Sequence, residues 1–150
     1  MVSFANSNTP EIKEADVQRS EGDLGLIFPL DYRRFLLNFN GGNPVPNYLL
    51  IPDLNEKVVV ECFLGIGRPH FDLIKWTAEV RHSLDLPDEF IPIAFDPGGN
   101  NLIMKSADYG SPEIYYWDSG RHFNLSTDDE NAFFVADSFT ELLTKFDATP

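Results

Sequence analysis

The chain has a single cysteine, few basic residues and no long apolar segment. With Cys62 alone, no intrachain disulfide can form, so we expect a reducing compartment. No apolar run approaches the roughly 20 residues that a membrane-spanning helix requires. The N-terminal residues 1–10 lack the basic start and the apolar core of a signal peptide. These absences predict a soluble, cytoplasmic protein.

Positive charge is scarce: 11 Lys and Arg stand against 24 Asp and Glu, a formal net charge of −13. Phosphate backbones and anionic membrane surfaces repel such a protein, so we expect binding to neither nucleic acid nor membrane. Residues 82–150 contain 13 acids and 3 bases, whereas residues 1–81 contain 11 acids and 8 bases. This asymmetry would speed encounter with a basic partner, although it equally fits a need for solubility.

The composition is that of one ordinary globular domain. A chain of 150 residues with 43% hydrophobic residues is long and apolar enough to bury a core of its own. No repeat, low-complexity stretch or linker divides it. We therefore predict one domain over residues 11–146, preceded by a loose tail at 1–10 and followed by a C-terminal tail at 147–150.

Apolar spacing and capping signals predict four helices. The clearest begins at Pro29, where Tyr32, Phe35, Leu36 and Phe39 fall on one face. The last begins at Ser138, which is predicted to form a capping box with Glu141. The four predicted helices cover residues 11–23, 29–39, 72–84 and 138–146.

Short runs of β-branched and aromatic residues predict the strands, with turns rich in Gly and Pro between them. The predicted strands are 48–51, 58–63, 90–95, 102–105 and 114–117. Because the last three follow one another through short turns, they predict an antiparallel meander. Helices on both sides of these strands in the sequence favour the α+β class, with a central antiparallel sheet flanked by helices.

The sequence offers little catalytic chemistry. None of His70, His82 and His122 has a His or Cys partner at metal-ligand spacing. Cys62 lies in an apolar run, which favours a buried small hydrophobe. The Gly98-Gly99 pair is followed by a strand, which favours a β-turn over a phosphate-binding loop. We predict no catalytic residue, no metal and no cofactor, while a glycosidase-like carboxylate pair stays an open alternative.

Acidic residues near the end of the meander and beyond it are the candidates for partner binding. We assign Asp118 and the cluster of Asp128, Asp129 and Glu130 to one acidic surface. A partner recognised in this way would carry a basic cleft, and the acids would act mainly on association rate and salt dependence.

Four segments in order resemble the SUKH superfamily, which includes the fungal Smi and Knr cell-wall regulators and many bacterial proteins. Residues 26–42, LIFPLDYRRFLLNFNGG, resemble its signature L-P-x-D-Y-x-x-F-L-x-x-N-G-G. Residues 62–65 resemble its aromatic-Gly strand end, and residues 90–100, FIPIAFDPGGN, its hairpin. Residues 114–118 and 136–143 resemble its closing strand and helix. The match covers roughly residues 11–146.

The resemblance implies a compact α+β domain in which the shared motif residues are structural, forming a helix stop, a hairpin turn and caps. These residues are Pro29, Asp31, Tyr32, Gly41, Gly42, Asp96, Gly98, Gly99, Asn100, Ser138 and Glu141.

Bacterial members of the superfamily are mostly immunity proteins that bind and neutralise a cognate toxin, often a nuclease. Fungal members are signalling or scaffold proteins with added disordered arms. No such arms are evident here, so the resemblance implies an immunity protein acting on a basic toxin domain. An intracellular regulatory or scaffold domain is the alternative.

Overall fold

The computed structural model describes residues 2–7, 11–118 and 131–150, and these form four α-helices and ten short strands. The helices are α1 (Glu14–Leu24), α2 (Leu30–Asn38), α3 (Leu73–Leu84) and α4 (Phe139–Leu143). The first five strands are β1 (Ser3–Ala5), β2 (Asn43–Val45), β3 (Tyr48–Ile51), β4 (Glu56–Val59) and β5 (Cys62–Phe63). The others are β6 (Phe90–Phe95), β7 (Asn101–Lys105), β8 (Ile114–Trp117), β9 (Ala132–Ala136) and β10 (Phe146–Asp147). Short 3-10 helices occupy Pro52–Leu54 and Ala107–Tyr109.

A five-stranded antiparallel sheet with the order β5-β6-β7-β8-β9 forms the centre of the fold. A three-stranded sheet, β10-β3-β4, and the two-stranded β1-β2 pair accompany it. The predicted α+β class and the antiparallel meander are therefore confirmed. Pro92, which cannot donate to a ladder, lies where β6 has passed the end of the two-residue strand β5.

Helix α1 begins later than the sequence pattern predicted. Lys13 is extended, and its backbone N–H donates to the Asp16 carboxylate at 2.8 Å, so the helix begins at Glu14 rather than at Glu11. The predicted Thr9-Pro10 cap lies outside the described residues. Helix α3 follows its predicted range closely, with Asp72 as the N-cap.

Two other predicted elements are divided in the structure. The run 58–63 contributes to two sheets, because the Val60 N–H donates to the Asn47 carbonyl and the Glu61 N–H donates to the Phe95 carbonyl. Helix α4 ends at Leu143, and Phe146 instead pairs with Leu49 as part of β10. In both cases backbone pairing with a distant strand prevails over local periodicity.

Both segments predicted as tails contribute residues to the fold. Strand β1 pairs with β2, and the ring of Phe4 packs against Phe35 and Phe63 with centroid distances of 4.8 and 5.4 Å. At the other end, the Lys57 ammonium donates to the Asp147 carboxylate at 3.1 Å and to the Thr149 carbonyl at 2.9 Å. Residues 3–5 and 147–149 are thus attached to the body of the fold by specific contacts.

The main core is an aromatic cluster between α2, α4 and the strands. Phe35 lies at its centre, and Tyr32, Phe63 and Phe139 surround it. Tyr32 is fully buried, and its hydroxyl has no hydrogen-bond partner among the described residues. A smaller cluster of Val80, Leu86, Ile103 and Trp117 packs α3 against the five-stranded sheet.

Candidate functional site

The glycine pair at the end of α2 lies against the backbones of two strands. Gly41 and Gly42 have φ of +90° and +129°. A Cβ at Gly41 would lie 2.7 Å from the Phe63 carbonyl oxygen, and one at Gly42 would lie 2.7 Å from the Ala5 carbonyl oxygen. Only glycine fits this close approach without distortion, so the pair ends α2 and seats it on β5 and β1.

Asn40, immediately before that pair, is buried and connects the same turn to the loop after β5. Its side-chain amide donates to the Ile66 carbonyl at 2.8 Å, and its amide oxygen accepts from the Ile66 N–H at 2.7 Å. This exchange of two hydrogen bonds satisfies a buried polar side chain. The sequence analysis quoted Asn40 within the signature but did not foresee this contact.

The N-termini of α2 and α4 are joined by the Asp31 carboxylate. One of its oxygens accepts from both the backbone N–H and the hydroxyl of Thr140, at 2.9 Å each. Pro29 is the N-cap residue of α2, and Tyr32 follows Asp31 into the core. Burial raises the pKa of the Tyr32 phenol well above its usual range. These contacts tie the two helices together.

The hairpin between β6 and β7 is closed by its own side chains. The Asp96 carboxylate accepts from the Asn100 N–H at 2.9 Å and from the Tyr116 hydroxyl at 2.6 Å. Gly99, with φ of +86°, and Gly98 form the turn between Asp96 and Asn100. Burial, together with the hydrogen bond to Asp96, raises the pKa of Tyr116 above its usual range. The network fixes the hairpin and commits its carboxylate to internal bonds.

Helix α4 has a capping arrangement that differs in one bond from the predicted box. The Ser138 hydroxyl accepts from the Glu141 N–H at 3.1 Å, as predicted. The Glu141 carboxylate, however, accepts from the Asp137 N–H at 3.0 Å rather than from that of Ser138. That backbone hydrogen bond, and Lys145 beside it, lower the pKa of Glu141.

Of the acids predicted to bind a partner, the structure describes one. Asp118 follows β8 directly, is partly exposed, and its N–H donates to the Asn131 carbonyl at 2.9 Å. Asp128, Asp129 and Glu130 lie outside the described residues. The predicted grouping of these four acids therefore stays a prediction.

Reactive and metal-binding side chains do not converge within residues 2–7, 11–118 and 131–150. This part of the chain contains no group of three or more His, Cys, Asp or Glu residues placed to hold a metal ion. Cys62 is buried, and burial is the main cause of the raised pKa of its thiol, so little reactive thiolate is present. His70 and His82 are exposed, and His122 lies outside this range.

An apolar groove of about 570 Å³ runs between α2, α4 and β1. Aromatic rings form most of its wall, and Asp31 and Thr140 are among the polar groups at its edge. The aromatic residues that line it are Phe4, Phe35, Phe39, Phe139 and Phe146. Such a surface can accept an apolar side chain. Sequence reasoning did not find it, because its walls come from three segments far apart in the chain.

Comparison with known proteins adds one match. The SMI1/KNR4 family (SUKH-1) profile matches residues 11–145, almost the whole chain. No curated protein matches the sequence. In the described part of the chain, no helix is both long enough and apolar enough to cross a membrane. The match agrees with the four motifs in their order and with the α+β fold built around them. The chain therefore belongs to the SMI1/KNR4 family (SUKH-1).

Proposed function

We propose that the chain is a bacterial immunity protein that binds a cognate toxin, a nuclease, and neutralises it by covering its active cleft. The observation that carries this proposal is a SUKH-1 domain with a formal net charge of −13. A nuclease cleft must be basic to hold phosphates, so an acidic domain is its electrostatic complement.

The chemistry of the described side chains supports binding rather than bond-making. The Asp96 carboxylate is committed to its hairpin and the Asp31 carboxylate to Thr140. Cys62 is buried, and its thiol has a raised pKa. A catalytic site instead needs groups that converge in a cleft and are free to exchange protons.

The energetic requirements of occlusion are modest for a domain of this size. An interface of about 1,600 Å² is standard for a specific complex, with a few anchors inside a polar rim. Acids such as Asp118 would act at the rim, where charge sets the association rate and the salt dependence more than the final affinity. Their contribution would be screened within a Debye length of about 10 Å at 0.1 M salt.

The test pairs this chain with the toxin domain encoded immediately upstream of its gene. We expect a variant carrying Asp118→Lys, Asp128→Lys, Asp129→Lys and Glu130→Lys to associate about tenfold more slowly at low salt. Because salt screens these charges, the difference should shrink as salt rises, as stopped-flow fluorescence would show.

The control is Asp53→Lys, which changes an exposed acid in the Pro52–Leu54 turn. One substitution should alter the association rate far less than four. An unchanged rate in the fourfold variant would show that this acidic surface does not steer association. If the wild-type chain fails to bind the toxin domain and binds a housekeeping protein instead, the regulatory alternative is correct.

A further inference from the structure

Three exposed apolar side chains belong to segments that meet at one end of the molecule. The exposed fractions are 53% for Ile27, 71% for Leu30 and 51% for Tyr109. Ile27 precedes α2, Leu30 is its first residue, and Tyr109 ends the Ala107–Tyr109 turn after β7. We call these three residues the loop-end surface. Large apolar side chains that a fold leaves in water together mark interaction sites.

Direct hydrogen bonds join the two segments that carry this surface. The Ile27 N–H donates to the buried Ser106 hydroxyl oxygen at 3.0 Å, and the Ala107 N–H donates to the Ile27 carbonyl at 3.0 Å. The Tyr109 N–H in turn donates to the Ser106 carbonyl at 3.1 Å. Residues 79 positions apart are thereby held together by backbone contacts, so the surface is fixed before any partner arrives.

The residues around this surface are mainly acidic. The Ser106 N–H donates to the Glu89 carbonyl at 2.8 Å, which places the β6 end of the sheet beside the turn. Asp108 lies within the turn itself, and its carboxylate contacts the Ser106 hydroxyl. The acids on these adjoining segments are Asp88, Glu89, Asp108 and Glu113.

Two basic residues lie on the same segments, and one is already engaged. Arg81 donates to the Leu24 carbonyl at 3.3 Å and to the Asp88 carbonyl at 3.0 Å, so its guanidinium is directed to the backbone. Lys105 is the other, at the end of β7. The four acids exceed the two bases, which gives the surface a net negative rim.

We propose that the loop-end surface is where the basic protein partner docks. This inference rests on the proposed function and adds the place of contact. An apolar centre inside an acidic rim is complementary to a basic surface that presents an apolar side chain flanked by Arg or Lys. A second copy of this chain would bring two acidic rims together, and a nucleic acid would bring phosphates to them, so both are disfavoured.

The test uses a defined probe, an amidated hexapeptide of alternating arginine and tryptophan, titrated into the isotopically labelled full chain. We expect saturable NMR shift changes concentrated on the backbone amides of Ile27, Leu30, Ala107 and Tyr109. A peptide of alternating glutamate and tryptophan should shift these amides far less. Changes centred elsewhere, such as the apolar groove, or equal effects from both peptides would overturn the proposal.

Matched variants separate the surface from general stickiness. The pair Ile27→Ser and Leu30→Ser should weaken binding of the arginine peptide at least fivefold. The control pair Val45→Ser and Leu50→Ser changes exposed aliphatic side chains elsewhere and should leave binding within twofold. All four side chains are at least 41% exposed, so the thermal midpoints should stay close to that of the wild type. Equal losses in the two pairs would contradict a specific surface.

The outcome is distinguishable from failure of the proposed function. If the Ile27→Ser and Leu30→Ser variant protects cells from the toxin as well as the wild type does, the docking surface is wrong and the immunity role stands. If the wild type gives no protection while the peptide still binds at Ile27 and Tyr109, the immunity role is wrong. The surface would then serve another basic protein.

Discussion

Replacing Gly65 with alanine should leave most of the protein unfolded at 25 °C. A Cβ at this position would lie 2.1 Å from the Asn40 carbonyl oxygen and 2.8 Å from the Asn40 carbonyl carbon. Both are backbone atoms that cannot swing aside, because the Asn40 side chain is bonded twice to Ile66 and the chain turns directly into Gly41. Relief therefore requires α2 and the loop after β5 to separate.

We expect Gly65→Ala to lose more than about 4 kcal/mol, a large part of the roughly 5–15 kcal/mol by which a domain is stable. The matched control is Gly22→Ala in α1, where an added Cβ meets nothing within 4 Å. That change should stabilise the protein by about 0.5–1 kcal/mol, since alanine is the better helix former. Urea titration followed by circular dichroism measures both. A Gly65→Ala midpoint close to that of the wild type would show that the contact yields easily.

Removing the Phe35 ring should cost about 3–5 kcal/mol, the usual range for Phe→Ala in a core. The ring is 4% exposed, and its centroid lies 4.8 Å from that of Phe4 and 5.0 Å from that of Phe139. Phe63 also packs against it, at 5.5 Å. The cavity left by Phe35→Ala would therefore open between β1, β5 and α4 at once.

Two variants on the same helix serve as controls. Phe39→Ala removes a ring that is 37% exposed, so it should cost less than half as much as Phe35→Ala. Tyr32→Phe deletes only a buried hydroxyl without a hydrogen-bond partner among the described residues, so stability should stay unchanged or rise. Denaturant midpoints would compare all three. Equal losses for Phe35→Ala and Phe39→Ala would place the packing centre elsewhere.

Much of this fold follows from local patterns. The apolar spacing from Tyr32 to Phe39 and the Asn40-Gly41-Gly42 stop predicted α2, because helical periodicity and left-handed turns are properties of short segments. The β-branched and aromatic runs between Gly-rich turns predicted the meander in the same way. Asp72 and Ser138 cap their helices through side chains only three residues from the N–H groups they accept.

Features that depend on distant contacts could not be predicted. Phe146 has the spacing of a helical stripe, yet pairing with Leu49 places it in β10. The apolar groove takes walls from β1, α2 and α4, and the loop-end surface depends on Ile27 meeting Ser106 across 79 positions. Gly65 showed no local sign of its importance, because the atom that excludes a side chain there belongs to Asn40.

The most direct test of neutralisation by binding is a titration of toxin activity. The purified chain is added in steps to a fixed, micromolar amount of the toxin domain encoded beside its gene, and the remaining nuclease activity is measured. Occlusion predicts a linear fall that reaches zero at one equivalent, with recovery of activity when the complex is separated under denaturing conditions and the toxin is refolded. Complete and irreversible loss at a small fraction of an equivalent would contradict the account, because only a catalyst inactivates many toxin molecules per chain.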